Sequence, residues 1–387
     1  MNATTNRTGF CKTIMAILAV AAIAPLAGGC NRRQTKAPSE IKIAVPVPLT
    51  GKYREFGLDL VNAARMAVDE ANIQGGVHGK TLVIVTEDDK GDPKDAVTVA
   101  QRIVDDHSII GVMGHLNSGT TLAASPVYGE AGIAVLMPVP TNPQITKQGF
   151  TNFFRVPITD DKQGAAACEF LAKKAQKSTL AVIHNRETYG KGIAEEFVKT
   201  LEADGVKPLL FEGVNANEQD YRPTIGKIKA ANASGIFFGG EYADAARFIR
   251  QAREQGVDVP IVMGDGCFNT EMAMIAGDAV RNCYVANIAP LNAPNDRARR
   301  FYEQFAQEHG KIVAYAPLGY IATQILIDAI RKASEPTRKA VLAVLQDKTY
   351  AYDSILGEFR FTADGDSVGR KIFWHEFKNG QFSAITE

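Results

Sequence analysis

The chain has 387 residues, with 43 Lys plus Arg against 43 Asp plus Glu and no block of like charge. That balance excludes the basic face with which a nucleic-acid binder meets phosphate. The length allows one large domain or two medium ones with ample core.

The N-terminal residues read as an address. Arg7 and Lys12 precede an apolar stretch over residues 14–26, and Ala27, Gly28 and Gly29 follow it. A basic start, a short apolar segment and small residues before a cut site describe an export signal over residues 1–29. The stretch is too short for a stop-transfer helix across a bilayer core of ~30 Å. Cys30, directly after the small residues, resembles the lipobox cysteine of bacterial lipoproteins, although Leu26 sits one position further from it than is usual. That resemblance implies cleavage before Cys30, lipidation of its thiol and a membrane anchor in the periplasm or at the cell surface. The alternative is a plain secretory signal with an incidental cysteine. Residues 30–40 are polar, have no apolar period and read as a flexible tether.

The body begins at residue 41 and contains no second apolar run of spanning length, so it reads as soluble. Its pattern predicts strands over 41–47, 82–86, 109–113 and 134–136, alternating with helices over 58–72, 93–104 and 120–128. Leu60, Ala64, Ala67 and Ala71 share one face of the first helix, and Pro93 suits a first helical position. The rhythm restarts after residue 157. Helices over 163–176, 192–203, 221–231 and 243–255 alternate with strands over 179–184, 209–213, 235–238 and 260–263. Helices over 297–309, 318–332 and 337–345 follow, and strands over 358–362 and 371–377 close the chain, with a hairpin-like turn after Asp364. Two αβ series predict an α/β fold with two mostly parallel sheets, each covered by helices on both faces, and hence two lobes.

Several sequences that carry chemistry elsewhere fail here. Residues 74–81 (QGGVHGKT) look like a phosphate loop, but they follow a helix and precede a strand, the reverse of the order that would aim helix N–H groups at a phosphate. No G-x-G-x-x-G follows the first strand, neither H-E-x-x-H nor G-x-S-x-G occurs, and the six histidines do not cluster at ligand spacing. No cofactor or metal site is predicted. Cys168, Cys267 and Cys283 have no metal spacing. Cys267 and Cys283 are close enough in sequence to pair in an oxidising compartment, or all three are buried thiols.

Parallel sheets bind ligands beyond the carboxyl ends of their strands, which puts weight on residues 114–121, 138–143, 185–189, 239–242 and 264–267. Asn117 and Ser118 link a strand to a helix start, where free N–H groups favour an anion; Ser118 either adds a hydroxyl donor, caps the helix, or does both. Pro138, Pro140 and Pro143 stiffen the segment that contains Val139 and Thr141. Glu241 and Asp265 follow strands in glycine-rich settings that allow a ligand to approach the backbone closely. A carboxylate there either meets a ligand cation or is simply solvated.

The ordered segments QGGVHGK, DDKGDPKDAV, GHLNSGTT, GIAVLMPVPTNP, HNRETYG, GGEYADAARFIRQAREQG and MGDG…IAGDA resemble the leucine/isoleucine/valine-binding proteins, the substrate-binding components of bacterial branched-chain amino-acid ABC transporters. The resemblance covers nearly all of residues 41–387. It implies a type I periplasmic binding protein: two α/β lobes (41–156 plus 289–357, and 157–288 plus 358–387) joined by crossings near 155–158, 286–290 and 357–361. It implies an α-carboxylate site at Ser118, Thr141 and the Val139 backbone, an ammonium partner at Asp265, and an aromatic wall of Phe56, Tyr189 and Tyr315. Its implied partners are a free amino acid or similar small molecule and a membrane permease, with the protein acting as a monomer.

Three departures from the family pattern stand out. Gly91 and Asn117 occupy places that often hold a disulfide. Asp265 is one carbon shorter than the usual glutamate, in a turn shorter by one residue. Glu241 stands where an aromatic residue usually closes the side-chain pocket. Either the ligand carries an extra donor or positive charge, or Glu241 turns out to solvent. The expected function is capture of an amino acid, branched-chain or related, for an ABC transporter. A same-fold receptor for a small amide, urea or aromatic acid is the alternative, and an exported enzyme on a dinucleotide fold has no motif in its favour.

Overall fold

A computed structural model describes residues 40–176, 179–378 and 380–385. The export signal, Cys30 and the tether up to residue 39 lie outside the described residues.

Five parallel strands form the first sheet: β1 (Glu40–Val47), β2 (Thr81–Asp88), β3 (Ile109–Met113), β4 (Ala134–Met137) and β5 (Phe153–Arg155), in the order β2-β1-β3-β4-β5. Between them run α1 (Arg54–Ile73), α2 (Pro93–Asp105) and α3 (Ser118–Ala131). Successive residues of a strand point to opposite faces. Ile43, Val45, Ala134 and Leu136 therefore pack with Leu60 of α1, while Ala44, Val112, Val135 and Met137 pack with Val99 of α2 and Ala124 of α3. Asp92 caps α2 by accepting from the N–H groups of Lys94 and Asp95.

The second half continues with α4 (Asp160–Ala175), β6 (Leu180–His184), α5 (Thr188–Ala203), β7 (Leu210–Gly213), α6 (Arg222–Ala230), β8 (Gly235–Gly239), α7 (Tyr242–Glu254), β9 (Ile261–Met263), α8 (Glu271–Ala276) and β10 (Cys283–Asn287). Then come α9 (Asp296–His309), α10 (Ala316–Lys332), α11 (Arg338–Gln346), β11 (Tyr352–Ser354), β12 (Gly357–Phe359), β13 (Phe373–Lys378) and β14 (Gln381–Ala384). The second sheet has the order β14-β13-β10-β9-β8-β6-β7 and is antiparallel only at β10/β13 and β13/β14. Its faces alternate in the same way: Leu180, Val182, Phe237 and Val262 pack with Phe197 of α5, whereas Ile183, Ile236, Phe238 and Met263 pack with Phe248 of α7. α10 returns to the first sheet and lies along α1 and against β3 and β4.

The α/β architecture with two helix-covered sheets is as expected, and the structure adds β5, α8, β10, β11 and β14. These are segments of three to six residues, too short to carry a period of their own. One expectation is corrected. Residues 358–362 do not lead into the second sheet; β12 pairs with β11 in a separate antiparallel ladder. The chain then folds back on the first sheet, where the Arg155 N–H donates to the Gly365 carbonyl (2.8 Å) and the Ser367 hydroxyl to the Pro157 carbonyl (2.9 Å). It reaches the second sheet only at β13.

Arg155, at the end of β5, is fully buried. Its guanidinium donates to the Pro140 carbonyl (2.5 Å), the Asn142 carbonyl (2.9 Å) and the Asp366 carboxylate (2.7 Å). Removing one partner of such a pair leaves buried polar groups unsatisfied and costs about 3 kcal/mol or more. We expect Arg155→Met to lower the unfolding free energy by that amount in urea titration; an unchanged midpoint would contradict the role of this contact.

Candidate functional site

β1, β3 and β4 of the first sheet and β6, β8 and β9 of the second end at one cleft. The residues that follow these strands line a single cavity with about 40 Å³ of free space. All nine residues singled out from sequence lie on it: Phe56, Asn117, Ser118, Val139, Thr141, Tyr189, Glu241, Asp265 and Tyr315. Leu116, Pro140 and Gly266, from segments on which the sequence puts weight, also line it, as does Tyr53, which was not anticipated.

At one end Ser118 is the first residue of α3, and Asn117 holds the cap position without a side-chain capping bond. Ser118 is thus not the cap, and its hydroxyl is held only by a long 3.4 Å contact from the Asn142 N–H. Thr141 is buried beside it, and its carbonyl accepts from the Asp160 N–H (2.9 Å). Arg155 grips the carbonyls on either side of Thr141, those of Pro140 and Asn142, so the proline-stiffened segment is fixed from behind. The result is two hydroxyls and a helix start facing a small space, an arrangement suited to an anion.

At the other end is Asp265, also buried. One of its oxygens accepts from Gln163 Nε2 (2.9 Å) and the Tyr189 hydroxyl (2.9 Å), and the other faces the Tyr315 hydroxyl (3.2 Å). The Tyr189 hydroxyl in turn accepts from the Gly266 N–H (3.0 Å). A Cβ on Gly264 would stand 2.4 Å from that hydroxyl, so glycine is required for the tyrosine to reach Asp265. Burial raises the Asp265 carboxyl above its ordinary value, and the Gln163, Tyr189 and Tyr315 donors work against that.

Asp160 lies behind this pair, fully buried at the start of α4. Burial pushes its carboxyl up to about 8, and nearby Asp265 adds to the shift. The Thr141 hydroxyl is near enough to favour the carboxylate, yet neither Asp160 oxygen receives a hydrogen bond of ordinary geometry. Asp160 and Gln163 were missed because nothing about a helix start in the sequence announces that it faces a cleft.

The third wall holds Phe56, whose ring centroid is 5.1 Å from that of Tyr315 and 5.9 Å from that of Tyr242. Tyr53 packs beside it over Gly91, where a Cβ would come within 2.5 Å of the ring. Gly91 and Asn117 are neighbours in space, and neither is a cysteine. Lys52 Nζ and the Tyr53 hydroxyl both reach Glu187 at 2.8 Å, joining the loop after β1 to the loop after β6. Glu241 does not turn out to solvent: it is buried on the cavity wall and accepts from Asn185 Nδ2. Burial, and then the negative charge of Glu187, push its carboxyl up to about 8 against the pull of Lys52.

Cys168, Cys267 and Cys283 are free and buried, so Cys267 and Cys283 do not pair; Cys267 Sγ instead donates to the Gly240 carbonyl (3.2 Å). Among the described residues no cluster of His, Cys, Asp and Glu could hold a metal ion, and no helix is long and apolar enough to cross a membrane.

Residues 40–381 match the family model described as periplasmic binding protein. The chain is 32% identical to Leu/Ile/Val-binding protein homolog 1 of Brucella abortus over 97% of its own length and 100% of that protein. It is 33% identical to a leucine-, isoleucine-, valine-, threonine- and alanine-binding protein of Pseudomonas aeruginosa, covering 85% of this chain and 88% of the relative. The crystal structure of the branched-chain amino acid transporter substrate binding protein LivJ from Streptococcus pneumoniae, in complex with isoleucine, superposes with a TM-score of 0.80. It is 25% identical and covers 89% of this chain and 99% of that one.

Asp160 and Glu241 titrate at about 8 in the folded chain and at ~4 when unfolded. Folding thus favours their protonated forms. That contribution is complete below pH ~4 and is lost as pH rises through about 8, at up to about 1.4 kcal/mol per pH unit and carboxyl. The thermal midpoint of the ligand-free protein should therefore fall between pH 5 and pH 8. Asp160→Asn should melt above the parent at pH 8, with the gap narrowing at pH 5. A parent midpoint that climbs over this range, or no gain from Asp160→Asn at pH 8, would contradict the burial of these carboxyls.

Proposed function

Since the chain belongs to the periplasmic binding protein family, we propose that it is the extracytoplasmic solute-binding component of an amino-acid ABC transporter. It captures one amino acid between two lobes and delivers it to a permease. One observation carries this reading: the anion-binding groups Ser118 and Thr141 follow strands of the first sheet, the carboxylate Asp265 follows a strand of the second, and both ends open on one cavity. An α-amino acid is a zwitterion that presents one group to each kind of end. Ser118, Thr141 and the Val139 backbone take its α-carboxylate, Asp265 with Tyr189 takes its ammonium, and Phe56, Tyr315, Asn117 and Glu241 surround its side chain. The ligands named for the Brucella, Pseudomonas and Streptococcus relatives support an amino acid of the branched-chain or a related small class.

One lobe holds residues 41–156 and 289–357, with residues 358–372 lying along its sheet, and the other holds residues 157–288 and the chain from β13 onward. Ligand contacts from both lobes give the closed form its preference, because a ligand shifts an equilibrium only by its differential affinity for the two states. A micromolar site needs about 8 kcal/mol net, which charge-assisted hydrogen bonds at both ends of a zwitterion plus side-chain burial can supply. Binding and release need no turnover, so the protein is not an enzyme. Cleavage before Cys30 and lipidation of its thiol would keep a monomeric binder beside its permease through the tether.

Titration calorimetry with the twenty amino acids on the signal-free protein tests this. Asp265→Ala should weaken binding of the best ligand at least a hundredfold, in line with the ~3 kcal/mol of a charge-assisted contact, and Ser118→Ala by about tenfold. Tight binding that survives Asp265→Ala would mean a ligand without an ammonium group and would overturn the amino-acid assignment.

A further inference from the structure

The side-chain end of the cavity is acidic, and its cation and hydroxyl donor are already engaged. Lys52 and the Tyr53 hydroxyl both bind Glu187. Asp244, behind them, takes the Arg247 guanidinium and the Asn217 N–H. Glu241 accepts from Asn185 Nδ2 and lies close to Glu187 and the Tyr53 hydroxyl, which are already bonded to each other. A carboxyl group keeps acceptor lone pairs whether ionised or protonated, so this one has acceptor capacity to offer on the wall of a buried cavity. Against an apolar ligand side chain that capacity stays unmet, and an unpaired buried polar group is costly. A ligand with its own donor removes the cost.

Size narrows the choice. The free space of about 40 Å³ is small, and the walls leave little room at the side-chain end. A short side chain asks least of them, since Tyr53, Phe56 and Glu241 already fill this end.

On the reading that the cleft takes an α-amino acid, we infer that Glu241 is a specificity-determining residue that selects a short side chain carrying a hydrogen-bond donor, such as a hydroxyl, over its apolar isostere. Threonine and valine have nearly the same shape and differ by that hydroxyl. A site built to bond a hydroxyl discriminates strongly against the analogue that lacks it, whereas an apolar pocket barely distinguishes the two.

Competitive calorimetry of threonine and valine on the parent protein and on Glu241→Leu, at pH 7.5, decides the point. The parent should bind threonine at least tenfold more tightly than valine, and Glu241→Leu should bring the ratio to one or reverse it. Valine equal to or better than threonine on the parent overturns the inference while leaving amino-acid capture intact. A threonine preference that Glu241→Leu does not change overturns the role of Glu241. No binding of any amino acid overturns both this inference and the function on which it rests. The parent ratio needs no variant, so the test stands even if Glu241→Leu fails to fold.

Discussion

The Arg155 guanidinium, without access to solvent, holds three groups on two separate pieces of chain. It sits at the end of the last strand of the first sheet, just before the chain leaves for the second. It holds the carbonyls that flank Thr141, and so fixes one end of the cavity. It also holds Asp366, on the segment that folds back along β5 before entering the second sheet. The passages between the sheets and the anion-facing wall are thus tied at one charged group. A planar fork of five donors suits that task, because it can satisfy two carbonyls and a carboxylate at once.

The cleft gathers acids that the rest of the fold does not neutralise. Asp160, Asp265 and Glu241 are all buried there, while the Arg155 and Arg247 guanidiniums face Asp366 and Asp244. Each of the three carboxyls is shifted upward by burial, and a cationic group placed beside them would work in the opposite direction. The Lys52–Glu187 pair and the Tyr53–Glu187 bond hold the two strand-end loops together at the mouth of the cleft. They are partly exposed, so each contributes little on its own.

Much of this was legible in the sequence. The strands are runs of β-branched and aromatic residues at intervals filled by amphipathic helices, so both sheets and the loops at their carboxyl ends could be placed. Seven of the nine site residues lie on those loops; Phe56 and Tyr315 came from the family resemblance alone. The remainder depended on contacts between distant parts of the chain. Whether Glu241 faces solvent or a cavity is decided by Tyr53 and Lys52, which come from the other sheet. Asp160 reads in sequence as an ordinary acid in a helix first turn, and only the approach of Thr141 and Asp265 makes it buried. Residues 358–362 have strand character, but pairing with β11 rather than with the second sheet is a choice among partners that no local pattern records.

The three described cysteines have one more consequence. Cys267 and Cys283 are fully buried, and burial pushes the Cys283 thiol up to about 12, the Cys168 thiol up to about 11, and the Cys267 thiol well above its ordinary value. Thiolates are the form that oxidants and disulfides attack, and almost none is present at neutral pH. The thiols of the described residues are therefore poor targets for oxidants and for disulfide exchange at neutral pH.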